Sequence, residues 1–426
     1  MSNFSTSLDA KRSSLYLALL ILISEMMFFL PFSLVRVFRP TILEVYELTN
    51  LQLGSAMSVY GGVAILGYFP GGIIADRFSS KKLMIVSLIV TALIGTPLLY
   101  RPSPVVLTLI YMCWGISTVV LFWSASIKAV TQWGEGSNQG VAFGLLEGGR
   151  GVVSALLATG LLFIYKQGIP IDIEPTLDQR ACAFRIVPFI IICAMLALSL
   201  VCLRFFPEAS PERALAREKI RFGKQDVLAI FRLPSIWFLS VIIICAYVGF
   251  KVTGVFSQYA KEVLKMSEMD ALKYGVVGFY CRPVAACLAG YLADKYEASY
   301  MICANFFILL VSSLLLGGNY IQSGMVMPFV LTLTSCCLGV YALRGLYFTT
   351  IQETKIPSLY TGFAVGIISM TGYSPDIFVG PIIGYLMDSA PGAQGVKNVF
   401  LFVASFAGVG LVTSVCYARY LKQVTC

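Results

Sequence analysis

The sequence predicts an all-α membrane protein with twelve transmembrane helices in two pseudo-symmetric six-helix bundles. Three features carry that expectation. The chain is too poor in charge to cover a water-facing surface, its apolar runs are long enough to span a bilayer, and one short turn motif occurs twice. Of 426 residues, 58% are hydrophobic and only 12% charged, about half the charged fraction of ordinary soluble domains. The apolar residues fall in long stretches rather than in the short amphipathic patterns of a soluble core.

A helix crossing the hydrocarbon layer needs about 20 residues. Twelve stretches reach that length, at roughly 14–37, 51–75, 82–100, 104–128, 139–165, 184–206, 234–260, 271–293, 298–320, 325–352, 359–387 and 397–420. They divide six and six about one polar segment, Pro207 to Arg232. Residues 1–206 are therefore expected to form an N-terminal bundle, 207–233 a cytoplasmic linker and 234–426 a C-terminal bundle. The linker mixes Glu208, Glu212 and Glu218 with basic residues and reads as a solvated connection, an interfacial regulatory helix being the alternative. Basic residues set the orientation. About 17 fall on the side of the N-terminus against about 10 opposite, which places both termini in the cytoplasm and the chain in a plasma (inner) membrane. Lys11 and Arg12 precede the first apolar stretch as in a signal peptide. That stretch runs past Phe32 with no small-residue cleavage site, so it reads as a retained first span.

Several function classes are excluded. The net charge of +9 follows from basic cytoplasmic loops and does not point to nucleic acid. The twelve cysteines include no Cys-x-x-Cys, and Cys113, Cys193, Cys245, Cys287 and Cys303 lie inside apolar runs; there is no histidine. No metal, haem or other cofactor is expected, and the thiols read as small apolar residues. With no Ser/His pair and no sizeable extramembrane domain, neither a membrane enzyme nor a receptor is supported. The expected partners are a small-molecule substrate, a coupling ion and the lipid bilayer, and the expected state is a monomer.

The repeated turn reads Gly71-Gly72-Ile73-Ile74-Ala75-Asp76-Arg77-Phe78 in the first half and Ala289-Gly290-Tyr291-Leu292-Ala293-Asp294-Lys295-Tyr296 in the second. Each copy ends the second helix of its half. A weaker echo joins Leu121-Phe122-Trp123 to Gly345-Leu346-Tyr347. Paired six-helix halves are a transporter plan, with the solute site near mid-membrane. A small residue such as Gly72 lets two helices approach closely. Asp76 can accept hydrogen bonds from Arg77 or from a helix N-terminus. Gly72, Asp76, Arg77, Asp294 and Lys295 thus read as a latch on the cytoplasmic face, and a topology-setting charge cluster is the plainer alternative.

The first copy resembles the loop-2/3 signature of the major facilitator superfamily, Gly-x-x-x-Asp-Arg-x-Gly-Arg-Lys. Gly72, Asp76, Arg77 and Lys81 match it, while Ser79 and Ser80 replace a Gly and an Arg. The second copy keeps Gly290 and Asp294 and puts Glu297 at the Gly position. The resemblance implies alternating access, with Asp76 bracing the outward-facing state against the start of span eleven near Ser358.

A charge at bilayer depth costs several kcal/mol, so each one is a functional candidate. Glu25 lies roughly 16 Å into span one and Arg282 at a similar depth in span eight, while Glu147 and Arg150 lie about 12 and 16 Å into span five. Being three apart, Glu147 and Arg150 share a helix face and read equally as a structural ion pair or as a gating or coupling pair. Lys251, Arg344 and Asp376 are nearer span ends. Pro283 follows Arg282 and Pro375 precedes Asp376, where helices are expected to bend. Arg344 can snorkel or pair at a gate, and Arg36 can snorkel at the outer interface.

The basic excess within the spans favours an organic anion as solute. Leu34-Val35-Arg36 with Lys251 also resembles the organophosphate branch of the superfamily, which implies binding of a phosphoryl group by basic residues of spans one and seven. That branch's cavity histidine has no counterpart here. The expected substrate contacts are Arg36, Lys251, Arg282, Tyr280 and Trp123. The proton carriers are Glu25, Glu147 and Asp376, and Arg150 and Arg344 join the gate. Symport and antiport both remain open. The alternative solute is a neutral or zwitterionic metabolite such as a sugar, nucleoside or amino acid.

Overall fold

In a computed structural model of the chain, residues 2–133, 139–170, 175–206, 232–346 and 367–425 are described. Among them all regular structure is helical, as lipid demands: a helix satisfies every backbone N–H and C=O within its own segment. Among the described residues, ten stretches are long and apolar enough to cross a bilayer.

The first span is built from three pieces. Helix α1 (Ser2–Phe28) passes through a π-helical turn, Phe29–Ser33, into α2 (Leu34–Val45). Within α2 the backbone leaves helical geometry at Phe38 (φ −102°, ψ 23°), two residues before Pro40. Pro40 has no N–H for the carbonyl four residues back, and its ring crowds that carbonyl, so the kink has a local cause. Helix α3 (Asn50–Arg77) and α4 (Ser80–Ile94) flank the first repeated turn. Ser79 caps α4, its hydroxyl accepting from the amide of Lys82. The fourth span again carries a π segment, Ile116–Trp123, between α5 (Pro104–Gly115) and α6 (Ser124–Trp133). Helices α7 (Gln139–Gln167) and α8 (Leu177–Phe205) follow, the latter opened by a Thr176/Gln179 capping box.

The later part of the chain comprises α9 (Pro234–Val252), α10 (Phe256–Glu262), α11 (Glu268–Lys295), α12 (Ala298–Gly317), α13 (Val326–Leu346), α14 (Pro375–Ser389) and α15 (Ala393–Thr425). Helix α11 fills the place of the eighth expected span but carries Glu268, Asp270, Lys273, Arg282, Asp294 and Lys295 along its 28 residues. The eleventh expected span begins outside the described residues, and α14 is its second part.

The backbone divides into two compact units, Met1–Leu48 with Ser55–Arg217, and Thr49–Gly54 with Glu218–Cys426. The expected linker of 207–233 lies almost wholly outside the described residues. In the first unit α1 packs on α7, and α4 on α8. In the second, α12 runs along α15, and α11 and α12 both meet α13. Lipid tails are as apolar as leucine, so small residues and interlocking rings, rather than a hydrophobic gain, hold such helices together. Tyr259 and Phe329 stack with centroids 5.1 Å apart, and the Tyr259 hydroxyl donates to the Leu316 carbonyl at 3.0 Å.

One packing expectation is corrected. A Cβ added to Gly72 would meet nothing within 4 Å. The close approach falls one residue earlier, where a Cβ on Gly71 would lie 3.0 Å from the Val119 carbonyl oxygen and 3.1 Å from Val120 Cα. Gly67 meets the same π segment, with Val120 Cγ2 at 2.9 Å from its would-be Cβ. The stripe that seats α3 on the fourth span is thus Gly67 and Gly71, four residues apart on one face.

Candidate functional site

Among the described residues, paired charges inside the spans form a cluster in each unit. In the first, Arg150 of α7 donates from Nη1 to Glu147 Oε1 at 2.6 Å and from Nε to Glu25 Oε2 of α1 at 3.2 Å. The Ser33 hydroxyl, in the π turn, lies 3.5 Å from Glu25 Oε1. Glu25 is 1% exposed, whereas the Glu147 side chain is 40% exposed. The Arg150 guanidinium also lies 5.5 Å from the Phe28 ring centroid, within cation–π range. From Phe28 an aromatic wall extends to Trp123 (6.1 Å) and Phe32 (6.5 Å), and Phe32 meets Tyr60 edge-on at 4.8 Å. Phe32 and Trp123 both belong to π segments, a helical form concentrated at functional sites.

In the second unit Lys251 pairs with Asp376, their side chains 12% and 10% exposed. The Tyr247 hydroxyl donates to the same carboxylate, 3.1 Å from Oδ2 and 3.3 Å from Oδ1. The sequence builds this pair from helix ends. Lys251 sits in the last turn of α9, where the helix dipole favours a cation. Asp376 sits in the first turn of α14 behind Pro375, where an anion is favoured and proline loses no hydrogen bond. The Tyr247 ring faces two cations, Lys251 Nζ at 5.5 Å and Arg344 Cζ at 5.9 Å. Arg344 lies over the Phe250 face at 3.9 Å. Tyr373 packs edge-on against Tyr247 at 5.0 Å, and Tyr341 against Phe250 at 6.2 Å.

The structure therefore brings together Glu25, Glu147 and Arg150, and separately Lys251, Asp376 and Arg344. Arg344 stacks on an aromatic face within the second unit. Arg36 is half-buried on α2. Arg282 is buried on α11, which continues through Pro283, and Tyr280 on the same helix is 48% exposed. Asp76 and Arg77 are exposed at the end of α3. Their expected latch partner near Ser358 lies outside the described residues, as does the side chain of Asp294. Lys295 is exposed, its Nζ 5.6 Å from the Tyr296 ring.

Sequence reasoning missed two contacts. Lys128 Nζ of α6 donates to the Ala75 carbonyl at 2.8 Å, one residue before Asp76. Asp388, in the last turn of α14, caps the first turn of α3 within the second unit. It accepts the Asn50 amide at 3.1 Å, Asn50 Nδ2 at 2.9 Å and the Leu51 amide at 2.7 Å.

Helical spans that hold paired charges in their interior and a duplicated turn form the pattern of a carrier. The family model described as Major Facilitator Superfamily matches residues 21–378. The chain belongs to the Major Facilitator Superfamily. It is an integral membrane protein of twelve-helix, two-bundle architecture and a secondary transporter of a small molecule, not an enzyme.

Among relatives, the chain is 30% identical to the inner membrane protein YqcE of Escherichia coli K12 over 382 residues, covering 88% of this chain and 87% of that one. It is 27% identical to the inner membrane protein YihN of the same organism over 391 residues, covering 89% of each. Among solved structures it is similar to a bacterial homologue of the human lysosomal transporter Spinster, inward-facing and unoccupied. The TM-score is 0.72 at 15% identity, over 97% of this chain and 98% of the other. It is also similar to the nucleoside transporter NupG, with TM-score 0.69 at 14% identity over 95% and 98%. At such identities the two solved structures share the fold alone.

Proposed function

We propose that this family member carries a small organic anion across the inner membrane by alternating access, coupled to protons. The carrying observation is the Lys251–Asp376 pair, held inside the membrane on the aromatic wall of Tyr247 and Phe250 that Arg344 also lines. Ammonium, phenol and guanidinium groups are the donors that bind phosphate, carboxylate or sulfonate. Arg36 and Trp123 of the first unit, and Arg282 and Tyr280 of the second, are proposed as further substrate contacts.

Proton coupling is assigned to the carboxylates that share Arg150. When the half-exposed Glu147 takes up a proton, Arg150 keeps its pair with Glu25, so the cluster changes charge without stranding the guanidinium. If Glu25→Gln and Glu147→Gln each left uptake into proteoliposomes fully responsive to collapse of the pH gradient, this assignment would be wrong. The positive-inside count supports cytoplasmic termini, and the two Escherichia coli relatives support an inner-membrane location. Gly72, Asp76, Arg77, Asp294 and Lys295 are proposed as the cytoplasmic latch, and the functional form as a monomer with residues 207–233 linking its two bundles.

A second reading, transport of a neutral or zwitterionic metabolite, is favoured by one observation: Arg150 and Lys251 each have a carboxylate partner already. Thermal-shift measurements on purified protein with phosphorylated, carboxylated, sulfonated and neutral metabolites decide between them. Stabilisation by neutral compounds alone overturns the anion reading.

A further inference from the structure

Asp376 occupies the place that a substrate anion would need. Its carboxylate takes an ion pair from Lys251 and a hydrogen bond from the Tyr247 hydroxyl, the same donors an incoming oxyanion would use. An anion added beside an intact Lys251–Asp376 pair would find both of those donors engaged and would add a second negative charge next to Asp376. An anion that exchanges with Asp376 keeps Lys251 paired throughout.

The helix is interrupted just before the carboxylate. Residues 367–372 are helical, Tyr373 and Ser374 form a turn, and α14 restarts at Pro375, so Asp376 sits one residue beyond a break. Just before that break Gly372 lies close against α9, where an added Cβ would come within 3.0 Å of Ile243 Cβ. The segment therefore has a tight contact on one side of the turn and Asp376 on the other. The Tyr247 ring offers Arg344 on the same wall, towards which the released carboxylate can turn.

We infer that Asp376 is a built-in stand-in for the substrate's anionic group: it holds Lys251 and Tyr247 in the empty transporter and is displaced when an anion binds. The inference rests on the anion reading above and adds a role that reading does not require. Asp376 would set the affinity threshold for substrate by competing for its site.

The test is the thermal stabilisation of purified wild type, Asp376→Asn, Tyr247→Phe and Lys251→Gln by inorganic phosphate, sulfate and acetate, with ribose as the neutral control. At least one anion should bind saturably. Its apparent Kd should fall about tenfold in Asp376→Asn and change little in Tyr247→Phe, where competitor and anion lose the same donor. It should rise at least tenfold in Lys251→Gln. Binding to Asp376→Asn but not to wild type supports the inference equally. If Asp376→Asn does not fold, Asp376→Ser decides, because it also removes the competing carboxylate. An anion that binds wild type but no more tightly to the Asp376 variant overturns displacement and leaves the anion reading standing. Binding by no form overturns both.

Discussion

Arg150 holds Glu25 across 125 residues of sequence, Nε to Oε2 at 3.2 Å, while its Nη1 holds Glu147 three residues back on its own helix. One guanidinium thus serves two carboxylates of very unequal burial, and the two should not respond alike to mutation. Arg150→Met strands Glu25 at 1% exposure, and breaking a buried pair from one side costs about 3–5 kcal/mol. Its Tm should fall well below that of Glu147→Gln, a change at a side chain that is 40% exposed to water. The double variant Glu25→Gln/Arg150→Met should recover much of the loss. Equal Tm values for Arg150→Met and Glu147→Gln would refute this account of the cluster.

Adjacent glycines of the first repeated turn should behave differently. Gly71 lies against backbone atoms of Val119 and Val120, which cannot rotate away, and Gly72 faces open space. Gly71→Val should cost about 1–3 kcal/mol through overpacking. Gly72→Ala should be neutral or slightly stabilising, since alanine outranks glycine in a helix by about 1 kcal/mol. Thermal unfolding in one detergent compares them directly. A stable Gly72→Ala protein that no longer transports would place the role of this glycine in the latch motion, because packing would have been ruled out.

Asp388 is the acceptor for two backbone amides at the start of α3, donors that a helix leaves unsatisfied at its N-terminus. Asp388→Ala should cost about 1–2 kcal/mol, the range of a lost cap. Hydrogen exchange at the amides of Asn50 and Leu51 should accelerate, while exchange in α12 should stay unchanged. Unaltered exchange at those two amides would mean that water or another group satisfies them as well.

These contacts mark how far the sequence could be read. The spans were legible because a bilayer forces long apolar helices, and Glu147 with Arg150 was legible because a three-residue spacing shares a helix face. Glu25 joins them only through the packing of α1 on α7, which no local pattern encodes. The same holds for Lys251 and Asp376: each has a local reason to sit at its helix end, but their meeting depends on how α9 packs near α14. The π segments Phe29–Ser33 and Ile116–Trp123 contain Pro31 with Ser33 and Ser117 with Thr118, residues that occur in regular membrane helices as well. Asp388 carries no sequence pattern that points to its cap, and the expected Gly72 contact missed by one residue, a rotation of about 100° on a helix.

Arg344 offers the last test, because its cation–π contact separates a guanidinium from an ammonium. Its Cζ lies 3.9 Å from the Phe250 centroid, a stacking distance that the flat, weakly hydrated guanidinium suits and a compact ammonium does not. Arg344→Lys keeps the charge, so a site needing only positive charge would be unaffected by it. If the stack positions the charge, Arg344→Lys and Phe250→Leu should each weaken anion binding, and the double variant should be scarcely worse than either single one. The double-mutant cycle should then give a coupling energy of about 0.5–2 kcal/mol. Strict additivity would show that Phe250 merely packs beside Arg344, and the aromatic wall would lose its part in holding the cation for substrate.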